Sequence, residues 1–388
     1  MAPKQVLIGV ATTVQPKERM VKGRRVRRPA IHYCRMAEYA GSLGARLMIF
    51  DPDNANWTAG QLSGWRPVNM AYPYRDWERC EERLPDAIYE NAFVHLAVKG
   101  KSSKMRAAAK ERGIPLFNPP LPSKWQAVSF MKSAGLGQYV PDTFVLSDIK
   151  RAVRTVDEWK VTYVKPVGGY GGSGVMRIET TGKQMYRVSM DRSVKGTRKQ
   201  RIMVTRSDLE KLLRNRSRVP HLVQKGIRLL KIDGRSVDFR VVTARGADGA
   251  WHVIGIVPKV AAADGVVTNI VAGGELMSLE QLESLTARQG ITVPVRELTA
   301  CAVRCSEKLA ERIPKTGLLG YDIGVDTNGK VFVIEVNPKP ARSLLTDDMK
   351  RLMAKHTAGF TVFLARRRRA LKVKRSDVRM TAASWVQR

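Results

Sequence analysis

One glycine-rich turn restricts the fold of this chain more than any other stretch. In YVKPVGGYGGSGVMRIE, residues 163–179, Gly169, Gly171 and Gly174 have the spacing G-x-G-x-x-G. A dinucleotide fingerprint needs that turn to open a helix, because the helix N-terminus holds the pyrophosphate. Here the following residues alternate, with Val175, Arg177 and Glu179 on one side and Met176 and Ile178 on the other, which is the period of a strand. The turn also lies in mid-chain instead of after the first strand. Both features argue against NAD. Strand, glycine loop, strand is a hairpin whose unhindered backbone can lie over phosphates and donate N–H groups to them. Protein kinases use such a hairpin, but they place a lysine on the next strand and carry H-R-D and D-F-G motifs. Lys165 precedes this loop, and VDFR at 237–240 is neither motif. Gly169, Gly171, Gly172 and Gly174 are more glycines than a tight turn requires.

Around this hairpin the chain divides by pattern. KQVLIGVAT, HYCRMAEYAGSLG and ARLMIFDP read as strand, helix and strand, a β-α-β opening, and LPDAIYENA and AAAKERGIPLFNPP continue the alternation. The proline-rich segment near 119–122 marks a junction, so residues 1–120 are expected to form a small α/β domain. A helix at KWQAVSFMKSAG and strands in DTFVLSD, VTYVKPV and GVMRIET open a second unit, 121–222, which includes a very basic segment at 183–218. Strands in HLVQKGI, SVDFRVVTAR, AWHVIGIVPKV, GYDIGVDT and KVFVIEVN, with a helix over VRELTACAVRCSEKLAERI, make a largely antiparallel third unit, 223–365. The run ARRRRALKVKRSDVRM lies in a basic tail, 366–388, expected to be a solvated end.

Charge limits the partners without choosing one. The 388 residues carry 68 Lys and Arg against 35 Asp and Glu, a net charge of +33, which favours anionic partners. No apolar run approaches a membrane span, and the opening residues lack a signal-peptide pattern, so a cytoplasmic location is expected. Cys34, Cys80, Cys301 and Cys305 contain no C-x-x-C pair, and Cys301 and Cys305 read as buried thiols sharing one helical face. The five histidines are scattered, and no Ser-His-Asp or Cys-His constellation stands out.

The stretch LGYDIGVDTNGKVFVIEVNPKPAR carries the metal chemistry. Asp322 lies on its first strand, and Glu335 and Asn337 share one face of its second at period two. Mg²⁺ takes oxygen ligands from carboxylates and phosphates, so these three oxygens form a platform for it. Singly, Asp322 could cap a turn, Glu335 could pair with a surplus basic side chain, and Arg240 could pair with Asp238.

Lysine at the end of a strand, then a glycine hairpin, then D…E-x-N resembles the ATP-grasp superfamily, and most closely its endospore coat-associated, YheC/YheD-like branch. The resemblance implies an N-terminal pre-ATP-grasp α/β domain followed by a two-lobed ATP-grasp fold with mixed and antiparallel sheets, α/β and α+β in class. It implies ATP and Mg²⁺ as cofactors, with two ions and Mn²⁺ as a substitute. Lys124 in PSKWQAV and Lys165 in VKP fall at its phosphate-binding lysines, and Gly169, Gly171, Gly172, Ser173 and Gly174 at its phosphate loop. Gln224, Lys225, Gly226 and Ile227 fall at the hinge that holds adenine through backbone groups. Asp322, Glu335 and Asn337 fall at the metal ligands. Arg240 and Asn269 would hold the transferred phosphoryl group or the carboxylate. Where many relatives have arginine on the strand equivalent to IVPKV, this chain has Lys259, a point charge without a bidentate fork.

The activity so implied is a carboxylate–amine ligase working through an acyl phosphate, with an acidic carboxylate substrate and an amine as reactants and a spore-coat or envelope polymer as one setting. Two alternatives remain at this point. One is a structural protein of the same fold that binds an anionic polymer through the basic segment and tail. The other is a phosphotransferase that stops at the phosphorylated product.

Overall fold

The computed structural model describes residues 5–385 except 73–74, 93–98, 122, 169–173, 183, 192–198, 264 and 269. Gly169, Gly171, Gly172, Ser173 and Asn269 therefore lie outside the described residues.

Three sheets carry the architecture. In the N-terminal sheet the apolar strand Val6–Ala11 is central, parallel to Ala45–Phe50 on one side and to Ala87–Glu90 on the other, and Leu116–Phe117 adds a further parallel strand. Helix Ile31–Ser42 makes the crossover and buries Tyr33, Cys34, Met36 and Ala40 against the sheet. That is the β-α-β opening read from the sequence. Two hairpins were not anticipated: Lys17–Val21 with Arg24–Arg28, and Gln61–Asn69 with Asp76–Arg83. Their strands are dominated by charged and polar residues, so apolar runs do not mark them.

The central sheet is antiparallel throughout, in the order Thr143–Val145, His221–Lys225, Val161–Pro166, Met176–Gly182, Met185–Asp191, Lys199–Thr205. Helices Ile149–Trp159 and Arg206–Arg216 pack on one face, where Val153, Val156, Leu209 and Leu213 meet Val164, Ile178, Tyr186 and Val188. The basic segment is therefore no appended loop: it supplies two of the six strands and one of the helices. Its apolar residues, Tyr186, Val188, Val204, Leu209 and Leu213, point inward at strand and helix periods while its charges face out.

The C-terminal sheet runs Glu275–Leu276, Trp251–Val260, Arg235–Arg245, Leu318–Val325, Val331–Asn337, again antiparallel. Alternation decides its two faces. Val237, Phe239, Val241, Tyr321 and Ile323 pack beneath helix Val295–Arg312, while Asp238, Arg240 and Asp322 come out on the opposite side. Cys301 and Cys305 are buried free thiols of that helix, as their spacing suggested.

Helix Asp347–Trp385 joins the C-terminal sheet to the N-terminal one, burying Met353, Ala354, Ala358 and Phe360. The expected solvated tail does not start at Arg366. Arg366 donates to the Leu43 carbonyl at 2.5 Å, Arg368 to the Arg112 carbonyl at 3.1 Å, and Arg369 to Asp86 at 2.7 Å. Three of the four clustered arginines thus tie the helix to the N-terminal sheet. Among the described residues no helix is long and apolar enough to cross a membrane.

Candidate active site

The central and C-terminal sheets face each other across a cleft of ≈ 140 Å³ lined by Lys124, Lys165, Gln224, Asp238, Lys259, Asp322 and Glu335, among others. Lys165 joins its two walls. Strand Val161–Pro166 aims the side chain inward, leaving it 8% exposed, and the ammonium donates to Gln224 Oε1 at 2.8 Å and to the Ile334 carbonyl at 3.1 Å. Gln224 in turn donates to Thr143 Oγ1 at 3.0 Å. The Ile334 carbonyl is available because the strand bulges there: Asp322 opposes Glu335 and Ile323 opposes Val333, so Ile334 has no partner in the register. Burial pulls the Lys165 pKa down to about 8, against the opposing pull of Glu335.

The bulge leaves Asp322 and Glu335 directly across from each other, as the metal platform requires. Asn337 is one step removed. It opposes Gly320 and lines an adjoining cavity of ≈ 220 Å³, which shares Lys124, Lys165, Ile334 and Glu335 with the main cleft. Among the described residues no three His, Cys, Asp or Glu are grouped for a metal, so an ion here would rest on two carboxylates and the Asn337 amide. Oxygen donors of this kind fit Mg²⁺.

Each carboxylate is matched by a cation. Arg240 grips Asp322 with its fork, Nε at 2.8 Å from Oδ1 and Nη2 at 3.1 Å from Oδ2, and Lys259 lies 3.1 Å from Oδ1. Arg240 thus pairs with Asp322 on the neighbouring strand and not with Asp238. Lys259 also lies 3.0 Å from Asp238, whose other oxygen accepts a short hydrogen bond from Thr268. Asp238, Arg240 and Lys259 are between 5% and 8% exposed. Burial opposes the charge on Asp322, but Lys259 and Arg240 overcome it and hold the carboxyl at about 2. At Asp238 burial prevails over Lys259 and raises the pKa. Glu335 pairs with Lys124 at 3.4 Å. Lys124 opens its helix behind Ser123, which accepts from the Gln126 N–H while Gln126 reaches back to the Ser123 N–H, a capping box that fixes where the lysine leaves the backbone.

The hinge residues border this cleft. Gln224, Lys225 and Ile227 line it, and the Gly226 N–H donates to the Val161 carbonyl at 2.8 Å. A Cβ on Gly226 would lie 2.5 Å from Val161 Cγ1 and 2.8 Å from its oxygen, so the close approach of hinge and strand requires glycine. Gly174, at φ +77°, closes the glycine loop on the C-terminal side, and its carbonyl accepts from Arg216 at 3.4 Å.

Comparison with known proteins bears on this arrangement. The family model described as YheC/D-like ATP-grasp matches residues 113–364. The chain belongs to the YheC/D-like ATP-grasp family. Endospore coat-associated protein YheD of Bacillus subtilis (strain 168) is 26% identical over 318 residues, covering 78% of this chain and 66% of YheD. Endospore coat-associated protein YheC of the same organism is 22% identical over 278 residues, covering 69% of this chain and 73% of YheC. The chain thus spans about two thirds of the length of YheD. Among solved structures, the ATP-grasp ligase PsnB complexed with minimal precursor aligns over 91% of this chain and 100% of its own, at 16% identity and a TM-score of 0.49. The ATP-grasp fold accounts for the two facing sheets as the two lobes and the parallel sheet as the domain before them. Sequence reasoning named the charged residues of the cleft but missed Thr268, Thr143 and the Ile334 carbonyl. A single D-F-R-V run displayed Asp238 and Arg240, whereas a backbone oxygen freed by a bulge leaves no mark in the side-chain pattern.

Proposed function

We propose that this protein is an ATP- and Mg²⁺-dependent ligase that joins a carboxylate to an amine. The observation that carries the reading is the cleft in which four cations, Lys124, Lys165, Arg240 and Lys259, face Asp322 and Glu335 between two sheets. Phosphoryl transfer asks for positioning and charge stabilisation more than for a protein nucleophile. In this reading Lys124 and Lys165 hold phosphates, and Gln224 to Ile227 hold the base. Asp322, Glu335 and Asn337 hold the metal, which when bound neutralises phosphate charge; one or two ions, or Mn²⁺ in their place, suit the same oxygens. The substrate carboxylate oxygen bonds to the γ-phosphorus as the bond from that phosphorus to ADP breaks. The amine nitrogen then bonds to the acyl carbon, phosphate leaves, and the amine loses a proton. Arg240 and Lys259 provide positive charge where the transferring group gains negative charge, with Asn269 as a further donor. The names of YheD and YheC support a setting at the spore coat.

The test is thermal unfolding with and without Mg-ATP, because a ligand that binds the native state raises its stability by mass action. A Mg²⁺-dependent rise lost in Glu335→Ala, followed by ADP release that needs both an acid and an amine, is expected. No rise at millimolar Mg-ATP would overturn the assignment. ADP release independent of amine would point to a phosphotransferase.

The net charge of +33 favours a second reading, in which the fold binds an anionic polymer. Arg366, Arg368 and Arg369 contribute less to it than the tail composition suggested, since they are engaged within the chain. Polymer binding that weakens steeply with salt while Mg-ATP has no effect would favour it.

A further inference from the structure

The N-terminal sheet has its own candidate site. Around the strand Val6–Ala11 the connections diverge, first to the parallel strand Ala45–Phe50 on one side and later to Ala87–Glu90 on the other. Open parallel sheets bind ligands in the crevice beyond the carboxyl ends of strands at such a switch point. The residues at those ends here are polar and buried. Thr12 Oγ1 lies 2.9 Å from Tyr33 Oη, Asn91 Nδ2 donates to the same Tyr33 oxygen at 3.0 Å, and Tyr89 Oη donates to Asn91 at 3.3 Å.

Several donors around this knot have no described partner. Helix Ile31–Ser42 starts there without a side-chain cap or an acidic residue in its first turn. Its second residue, His32, is 4% exposed, and neither ring nitrogen has a hydrogen-bond partner among the described residues. Arg35 donates to Asp347 through Nη2 at 2.7 Å while its buried Nη1 has no described partner. Arg342 arrives from the C-terminal sheet, its guanidinium 5.7 Å from the Tyr33 ring centroid, and makes no hydrogen bond to a described residue. A buried donor without an acceptor is costly, and several converging on one seam point to a shared anionic acceptor. An open helix N-terminus favours the same charge.

The seam is linked to the catalytic cleft by a short stretch of chain. Arg342 follows Asn337 by five residues, roughly 18 Å at full extension. Between them Pro340 packs against Gly320, where a Cβ would meet Pro340 Cβ at 2.7 Å and Arg240 Cδ at 3.5 Å. Asn118 fixes the same stretch by donating to the Pro338 carbonyl at 2.6 Å.

We propose that this seam binds a carboxylate group of one of the reactants, with Arg342 as the carboxylate-binding residue and His32 and the first turn of its helix as further donors. The ligand's identity rests on the ligase reading; the anion site rests on the geometry. Burial, with Arg342 and Arg35 nearby, keeps His32 well below its usual pKa, and a neutral imidazole still offers one N–H.

Nitrogen NMR of the full chain with ¹⁵N-labelled histidine rings tests this, the His32 signals being those absent from His32→Gln. The probes are glutarate, the dipeptide L-glutamyl-L-glutamate, the neutral glutaramide and inorganic phosphate. Glutarate or the dipeptide should move the His32 signals and glutaramide should not. Arg342→Met should weaken the response about tenfold or more, and Arg342→Lys less, since a charged fork is lost in the first and only its geometry in the second. Stabilisation by Mg-ATP should persist in Arg342→Met. His32 signals unmoved by both carboxylates at millimolar concentration, moved equally in Arg342→Met, or moved by phosphate alone would overturn the proposal. A His32 response in a protein that Mg-ATP does not stabilise would remove the ligase reading and leave the anion site standing.

Discussion

Lys165 and Ile334 lie on different sheets and meet through one hydrogen bond, ammonium to carbonyl at 3.1 Å. The contact ties the two walls of the cleft, and it exists because a bulge frees that carbonyl from the sheet. It also keeps a cation where water does not reach, and this makes stability depend on pH. In the folded chain Lys165 titrates at about 8, against 10.5 for an ordinary lysine. Below pH 8 both folded and unfolded chains carry the proton, and the cost of burying the charge is present in full. Between those values the unfolded chain holds more protons, so stability rises with pH. Urea unfolding of wild type and Lys165→Met should show the difference moving in favour of wild type from pH 7 to pH 9.5. A difference that stays constant would mean that Lys165 does not titrate in that range.

The two metal carboxylates should respond differently to neutralisation. Asp322 has both oxygens engaged by Arg240 and Lys259, whereas Glu335 has a single looser contact with Lys124, the two side chains being 24% and 22% exposed. Glu335→Gln should therefore lower ADP release by about a hundredfold or more while changing stability by no more than about 1 kcal/mol. Asp322→Asn should lose activity and stability together. Steady-state ADP release paired with denaturant unfolding checks both. Comparable stability losses in the two variants would mean that Asp322 is no more tightly held than Glu335.

Lys259 is the only described cation in ion-pair contact with Asp238, and it also contacts Asp322. Lys259→Met would leave Asp238 buried without it. The expected loss is about 3–5 kcal/mol, the scale for breaking a buried ion pair from one side. Asp238→Asn added to that variant should restore part of the loss, since the stranded charge is then gone. Additive losses in the double variant would show that the two residues do not act as a pair.

The sequence disclosed the cleft where function depends on charged side chains in strands. Asp322, Glu335, Arg240 and Lys165 could be placed because strand alternation assigns each a face, and the apolar residues between them, such as Phe239 and Ile323, confirm the alternation by packing on the other side. It disclosed less where packing depends on tertiary partners. The strands of the basic segment looked like an insertion because their charges outnumber their apolar residues, yet Tyr186 and Val188 suffice to seat them against Val156 and Leu209. The arginines after Ala365 looked solvated because their acceptors, Asp86 and the carbonyls of Leu43 and Arg112, lie hundreds of residues away. Backbone devices such as the bulge at Ile334 have no residue signature of their own.

Gly226 shows how a backbone constraint reaches the site. The hinge bonds to strand Val161–Pro166 through the Gly226 N–H and the Val161 carbonyl, and an alanine Cβ there would be 2.8 Å from that oxygen and 2.5 Å from Val161 Cγ1. Neither contact can be relieved by turning a flexible side-chain end alone, since one of the two atoms is backbone. Gly226→Ala should push the hinge away from the strand, loosening the pairing of Tyr163 with Gln224 and so the grip of Gln224 on Lys165. The expected result is a stability loss of about 1–3 kcal/mol and a weaker response to Mg-ATP than in wild type. Val161→Ala removes the Cγ1 clash and leaves the carbonyl, so Gly226→Ala/Val161→Ala should recover only part of the nucleotide response. Full recovery would show that the side-chain clash, and not the backbone approach, sets the hinge; an unchanged response in Gly226→Ala alone would remove the hinge from the nucleotide site.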